Sequence, residues 1–167
     1  MQTASGGGPL AARVTASAAE LLAAIARASK ANWPEAAGVA AQAESLRDRT
    51  LPLAELAAQA YEDALGTAGG DYEFGRAYAK AAEPPLRIAE AAADVTELAA
   101  HVAEYAEPAL RADAVAAGLV AAGCAQAAAE LVAVNLTVSA NDERVRRAEL
   151  LAEGAARAAE LARATRE

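Results

Sequence analysis

Three consecutive glycines, Gly6, Gly7 and Gly8, run directly into Pro9. Backbone N–H groups free of side chains, placed at the positive end of a helix dipole, make a ready anion site. The proline suits the first helical position, where its missing N–H costs nothing. The plainer account of the same residues is a lead-in meeting a helix. Asp113 stands at the start of a long apolar stretch, where a carboxylate can hold cationic charge or simply answer the dipole. Asn135 is a polar side chain inside an apolar run, a setting that favours hydrogen bonding within the core. Lys30 and Arg27 close the first helical segment as partners for a phosphate or carboxylate, or as cations that answer a helix C-terminus. His101 falls on a polar stripe between Glu97 and Glu104 and reads as solvated, and Cys124 among small apolar neighbours reads as a buried thiol rather than a nucleophile.

Other chemistries are excluded. There is no Ser-His-Asp order, no CxxC, no P-loop and no dinucleotide fingerprint. One Cys and one His cannot form a zinc site or an internal disulfide, so no metal is expected. A reducing, cytoplasmic location is the default. With 23 Asp+Glu against 15 Lys+Arg the chain carries a net charge of −8. That balance argues against a nucleic-acid duplex or an anionic membrane surface as a partner, since both demand a concentrated positive field. An anionic small molecule remains compatible where a few basic groups converge.

The 167 residues are expected to form one domain, 1–167, with 1–8 as a glycine-rich lead-in. About a third of them are alanine, the best helix former. Helix is therefore expected almost everywhere. Six segments emerge: Pro9 to about Lys30; Pro34 to Leu65, with a kink at Thr50-Leu51-Pro52; Asp71 to Glu83, closed by Pro84-Pro85; a long helix to about Tyr105; Ala114 to Val134; and a last helix to about Ala164. On the fourth, Ile88, Ala92, Val95, Ala99 and Val102 form one stripe, while Arg87, Glu90, Asp94, Glu97, His101 and Glu104 form another. Ala114 to Val134 carries only Gln126 and Glu130 as polar side chains, as a helix buried on all sides would. Its length would nearly suit a bilayer, but alanine, glycine and Glu130 favour a core helix over a span. Ser139, three residues before Asp142, is the expected capping-box start of the last helix. The N-terminus has no basic run and only a short apolar stretch, so no signal peptide is expected. The fold class is all-α, a bundle of about six long helices around a buried central helix.

The order of these features resembles the formiminotransferase-cyclodeaminase C-terminal family, which includes stand-alone cyclodeaminases and methenyltetrahydrofolate cyclohydrolases. The resemblance covers nearly the whole chain. Gly6-Gly7-Gly8-Pro9-Leu10-Ala11-Ala12 through Lys30 follows its glycine loop and first helix, and Ala60-Tyr61 its Ala-Phe pair. Glu83-Pro84-Pro85-Leu86 is similar to its Val-Pro-Leu step, Asp113 to its Ser-Asp-Ala start, and Val134-Asn135-Leu136 to its Ile-Asn-Leu. The resemblance implies an all-helical homodimer that takes a tetrahydrofolate derivative as substrate, with no permanently bound cofactor, and closes or opens the one-carbon unit bridging N5 and N10. In the hydrolase direction water attacks the amidinium carbon. In the deaminase direction N10 attacks a formimino carbon and ammonia leaves. Either path needs a carboxylate for cationic charge and a proton relay. Asp113 is the expected catalytic carboxylate, with Gly6, Gly7, Gly8 and Lys30 binding substrate.

The sequence departs from the family where polar groups are expected. Pro9 replaces a serine, Ala57 an acidic residue and Ala112 a serine, and Ala106-Glu107-Pro108-Ala109 stands for Gly-Asn-Pro-Asn. A cleft that recognises a pterin by hydrogen bonds loses discrimination with each. A catalytically silent, dimeric anion- or folate-binding module is therefore the alternative. Asp113 and Asn135 lie 22 positions apart, about 33 Å on a straight helix. They cannot share a pocket within one subunit. If both were functional, Asn135 would serve a different site, one completed by a twofold partner; Asp113 is therefore taken as functional and Asn135 as packing.

Overall fold

The computed structural model describes residues 6–137 and 141–165. Seven α-helices follow one another among these residues: α1 (Gly7–Ala28), α2 (Ala36–Thr50), α3 (Leu53–Leu65), α4 (Asp71–Ala81), α5 (Glu83–Tyr105), α6 (Arg111–Asn135) and α7 (Glu143–Ala164), with a 3-10 turn at Pro108–Leu110 before α6. The all-α class is as expected. The fold has seven helices rather than six because the junction at Leu51-Pro52 separates α2 from α3. Both junction residues keep right-handed helical dihedrals, and the Leu51 N–H still donates to the Arg47 carbonyl. The chain there is kinked more than interrupted, as proline's missing donor requires.

Two boundaries differ from expectation. Pro84 and Pro85 do not close α4 but lie in the first turn of α5, the part of a helix where an absent N–H is harmless. At the start of α7 the cap is Asp142, whose carboxylate accepts from the Arg144 N–H at 3.0 Å. Ser139 lies outside the described residues.

Helix α5 is the hub, packing against each of the other six. Its apolar stripe, from Ile88 to Val102, is fully buried, and His101 and its acidic companions face outward or partly so. Alanines fill most of the remaining core, so helices sit close. A Cβ on Gly118 of α6 would stand only 3.0 Å from that of Ala99 on α5. Such proximity places the pair toward the short end of the ~8–10 Å interaxial range.

The long apolar helix α6 is covered on three sides, not four. It packs on α1, α5 and α7, while Leu119, Val120 and Val134 on its outer side are 43%, 48% and 65% exposed. Within the single chain the buried central helix is thus α5. Both α1 and the segment Pro108–Asn135 are long and apolar enough to cross a bilayer by length and composition, with at least half of each apolar stretch buried inside the bundle.

Buried hydroxyls on these helices mostly bond back to the carbonyl four residues earlier: Ser29 to Ile25, Thr50 to Leu46 and Thr96 to Ala92. Ser29 Oγ also accepts from the Glu107 N–H at 3.0 Å, joining the end of α1 to the α5–α6 connection. Thr15 is different. Its hydroxyl is fully buried without a hydrogen-bond partner, close to the Cys124 thiol but short of a well-formed bond with it. Replacing an unpaired buried hydroxyl with a methyl group of the same shape removes a desolvation penalty. Thr15→Val is expected to raise unfolding stability by about 1 kcal/mol, read from the urea midpoint; a midpoint lower than wild type would show that the hydroxyl is stabilising.

Candidate functional site

The glycine turn enters α1 without a side-chain cap. Gly6 takes φ +133°, a conformation open to glycine alone at little strain, and the first turn presents the amides of Gly7 and Gly8 before Pro9 removes the next donor. Sterics also hold these positions as glycine. A Cβ on Gly8 would lie 2.9 Å from Ala57 Cβ on α3, and one on Gly7 3.3 Å from Leu131 on α6. The turn is therefore wedged between two helices.

That wedge forms one wall of a cavity of about 270 Å³. Its floor is apolar, built from Ala57, Ala58, Pro85, Leu131 and Val134, and its polar side chains are Tyr61 and Asn135. A second hollow of about 430 Å³ shares Val134 and Asn135 and adds Asp71, Phe74 and Tyr78 from α4. Asn135 stands where the two meet. Its side-chain amide donates to the Ala81 carbonyl at 3.3 Å, which fixes the amide plane and leaves its oxygen available.

The wall opposite α1 is the junction of α4 and α5, and an ionic clamp holds it. Arg144 donates to the Ala79 carbonyl at 2.8 Å, to Glu83 at 2.6 Å and to both carboxylate oxygens of Asp142. The Arg144 hydrogen bonds lower the Asp142 pKa to about 2, and donating to the Asp142 and Glu83 carboxylates pushes the Arg144 pKa further up. One guanidinium thus ties the cap of α7 to the last turn of α4.

The expected site residues separate into two groups. Gly6, Gly7 and Gly8 line the cavity together with Asn135, which the sequence assigned to packing. Lys30 follows the far end of the 22-residue helix α1, about 33 Å from the glycine turn, and so does not serve as its charge partner within one subunit. Asp113 is exposed in the first turn of α6, at the end of that helix opposite Asn135. Ala57 lies in the cavity floor, and Pro9 at its glycine edge, as two of the noted departures would have it. Tyr61 and Pro85 entered the sequence reading only through the Ala60-Tyr61 pair and the Glu83-Pro84-Pro85-Leu86 step; Ala81 and Leu131 carried no signal there, because they reach the site through tertiary packing.

Two further candidates take their places outside it. His101 is exposed but not merely solvated: its ring meets that of buried Trp33 edge-on at 5.5 Å and lies 4.9 Å from Tyr105. Cys124 is buried, and burial pushes its thiol pKa up, with the Thr15 hydroxyl partly offsetting the rise. A thiol held protonated is a poor nucleophile. Among the described residues no group of three or more Cys, His, Asp or Glu side chains is placed to hold a metal ion.

The profile of the formiminotransferase-cyclodeaminase family matches residues 1–155. The chain belongs to that family. No curated protein matches it. Among solved structures it is similar to the formiminotetrahydrofolate cyclodeaminase of Thermotoga maritima, with a TM-score of 0.81 and 20% identity over 95% of this chain and 88% of that one. Likeness at that identity speaks to the fold, and the fold is that of the family.

Gly8→Ala places a methyl group against Ala57 and is expected to cost about 1–3 kcal/mol by overpacking. Gly38→Ala, in α2 with open space around it, is expected to gain about 0.5–1 kcal/mol from helix propensity. Thermal or urea unfolding of the pair checks both signs. For the clamp, a carboxyl depressed in the folded state contributes stability that is complete above its ordinary pKa and lost as pH falls through the folded value. Between about pH 4 and pH 2 the wild-type protein should lose stability that Asp142→Asn, already weaker at neutral pH, does not lose. Equal pH slopes for the two proteins would remove the clamp from the account of acid sensitivity.

Proposed function

We propose that this protein binds a reduced folate at the glycine-turn cavity and acts on the one-carbon unit bridging N5 and N10, as a cyclodeaminase releasing ammonia or a methenyltetrahydrofolate cyclohydrolase. The observation that carries this reading is a cavity, in a family member, lined together by the uncapped glycine turn, Tyr61 and Asn135 over an apolar floor. A pterin is flat, with an apolar face and a polar edge. The floor of Ala57, Ala58, Pro85 and Leu131 suits the face, and the Asn135 amide and Tyr61 hydroxyl suit the edge. At about 270 Å³ the cavity lies just below the common range for ligand sites, and the adjoining hollow beside Asn135 extends it toward α4.

In the hydrolase direction, water adds to the amidinium carbon and a C–N bond then breaks to give the formyl product. In the deaminase direction, N10 adds to the formimino carbon and ammonia departs. Both require a carboxylate beside the cationic carbon–nitrogen centre and a group to move a proton. We assign the carboxylate to Asp113 and substrate binding to Gly6, Gly7 and Gly8, in a homodimer; the geometry moves Lys30 out of this role in the same subunit.

A second reading is supported by one observation: Tyr61 is the only ionisable side chain lining the glycine cavity among the described residues. A pocket so poor in acids and bases suits a silent folate- or anion-binding module.

Calorimetry with 5-formyltetrahydrofolate, followed by turnover assays with methenyl- and formiminotetrahydrofolate, tests both. Saturable binding is expected, weakened severalfold (about 1 kcal/mol) by Tyr61→Phe, which removes one hydrogen bond, and more strongly by Asn135→Ala. Binding with no turnover of either substrate would establish the silent reading. No binding at millimolar ligand would refute the folate site.

A further inference from the structure

We infer that one face of α4, made by Asp71, Phe74, Gly75 and Tyr78, is the specificity wall of the site: it receives the donor-bearing edge of a flat heterocycle, with the Asp71 carboxylate accepting the ring's N–H hydrogens. The inference rests on the folate reading for the identity of the heterocycle, a pterin, and on α4 alone for the wall.

Aromatic side chains are scarce in this chain and their placement is unusual. There are one Trp, one Phe and four Tyr, and among the described residues only Trp33 of these is buried in the core. A bundle with an alanine core gains most from burying its few large rings. Yet Tyr61 lines the glycine cavity, and Phe74 and Tyr78 line the hollow of about 430 Å³ that adjoins it. Helix α4 supplies only Ala81 to the buried residues. Positions 71, 74, 75 and 78 follow the i, i+3, i+4, i+7 spacing of a single helix face, and that face lines the hollow together with Val134, Asn135 and Thr137.

Gly75 is the second observation. It lies inside α4, where glycine is the least favourable residue after proline, and a Cβ on it would meet nothing within 4 Å. No packing contact calls for a glycine there. On the face it falls between Phe74 and Tyr78, and the absent side chain leaves a slot in the wall.

Polar groups give the slot a direction. Asp71, at the start of the face, makes no hydrogen bond or ion pair among the described residues. Asn135 meets the other end of α4 through its bond to the Ala81 carbonyl. Asp71 and Tyr78 are two turns apart, about 10 Å, which accommodates two fused rings. A carboxylate accepts hydrogen bonds and donates none, so Asp71 pairs with the 2-amino and N3 hydrogens of a pterin and opposes a ring with a carbonyl at position 2. The rest of the ring system then reaches Asn135, and the carboxylated arm runs on toward the amides of Gly7 and Gly8. Both ends of α4 are fixed, by the Arg144 bond to the Ala79 carbonyl and by the Gly70 N–H bond to Glu73, so the wall needs little ordering when a ring binds.

Fluorescence titration of the full chain with pterin and with lumazine, which has a carbonyl in place of the 2-amino group, tests the wall. Wild type should prefer pterin by about tenfold or more, the cost of leaving a polar partner unpaired. Asp71→Asn, which offers a donor as well as an acceptor, should weaken pterin binding about tenfold and strengthen that of lumazine. A preference that Asp71→Asn leaves unchanged would overturn the role of the carboxylate. Gly75→Leu should hold or raise the melting midpoint, because leucine is the better helix former, and still abolish saturable pterin binding. Tyr72→Leu, on a part of α4 that is 72% exposed, should leave binding unchanged. Full pterin affinity in Gly75→Leu, or an equal loss in Tyr72→Leu, would overturn the slot. The folate reading fails separately. 5-Formyltetrahydrofolate bound equally by wild type, Asp71→Asn and Gly75→Leu would refute the wall and keep the folate site. Pterin bound through Asp71 without saturable binding of 5-formyltetrahydrofolate would keep the wall and refute the folate site, and no binding of any of the three compounds would refute both.

Discussion

Close approach of helices without large side chains is the condition on which the rest of this structure depends. Alanine buries little surface, so a bundle made from it gains its dispersion and hydrophobic energy by bringing many backbones near one another rather than by filling space with bulky groups. The contact of Gly118 with Ala99 lets the hub α5 lie against α6, and the wedge of Gly8 against Ala57 does the same for α1 and α3. At the second place the close approach also shapes a cavity. Packing and site are thus two outcomes of one rule, and residues that read as a phosphate-type loop in sequence serve first as spacers between helices.

The helical content and the inward stripe of α5 were legible because a period of 3.6 is written directly into residue order. Helix ends were less so. Pro84-Pro85 read as a stop but fits the first turn of α5, and the cap of α7 at Asp142 turned on its bonds with Arg144. The site was partly legible. The glycine turn stood out, while Asn135 was set aside because its distance from Asp113 along α6 excludes a common pocket in one chain. That distance argument was sound, but it decided only that the two residues lie apart. Proximity of Asn135 to the glycines arises from α1 and α6 running in opposite directions, which no local spacing reports.

The ionic clamp at Arg144 joins three elements, of which α4 and α5 reach the cavity through Ala81 and Pro85. With Asp142, Glu83 and the Ala79 carbonyl around one guanidinium, the last turn of α4 and the first of α5 are held in register, and Asn135 meets the same junction at Ala81. A planar fork with several simultaneous acceptors limits rotation more than a lysine would. The α4–α5 side of the cavity is therefore held by charge, whereas the glycine turn opposite is held by its wedge between α3 and α6.

The double proline has a further electrical meaning. Helix starts ordinarily display unpaired N–H groups that attract negative charge, and the start of α5 borders the cavity through Pro85. Pro84 and Pro85 have no such hydrogens to display, so that wall is nearly mute toward anions, while the start of α1 across from it still offers the amides of Gly7 and Gly8. The cavity is consequently polarised from one side to the other, and an elongated guest with one charged end would find only one direction in which to enter.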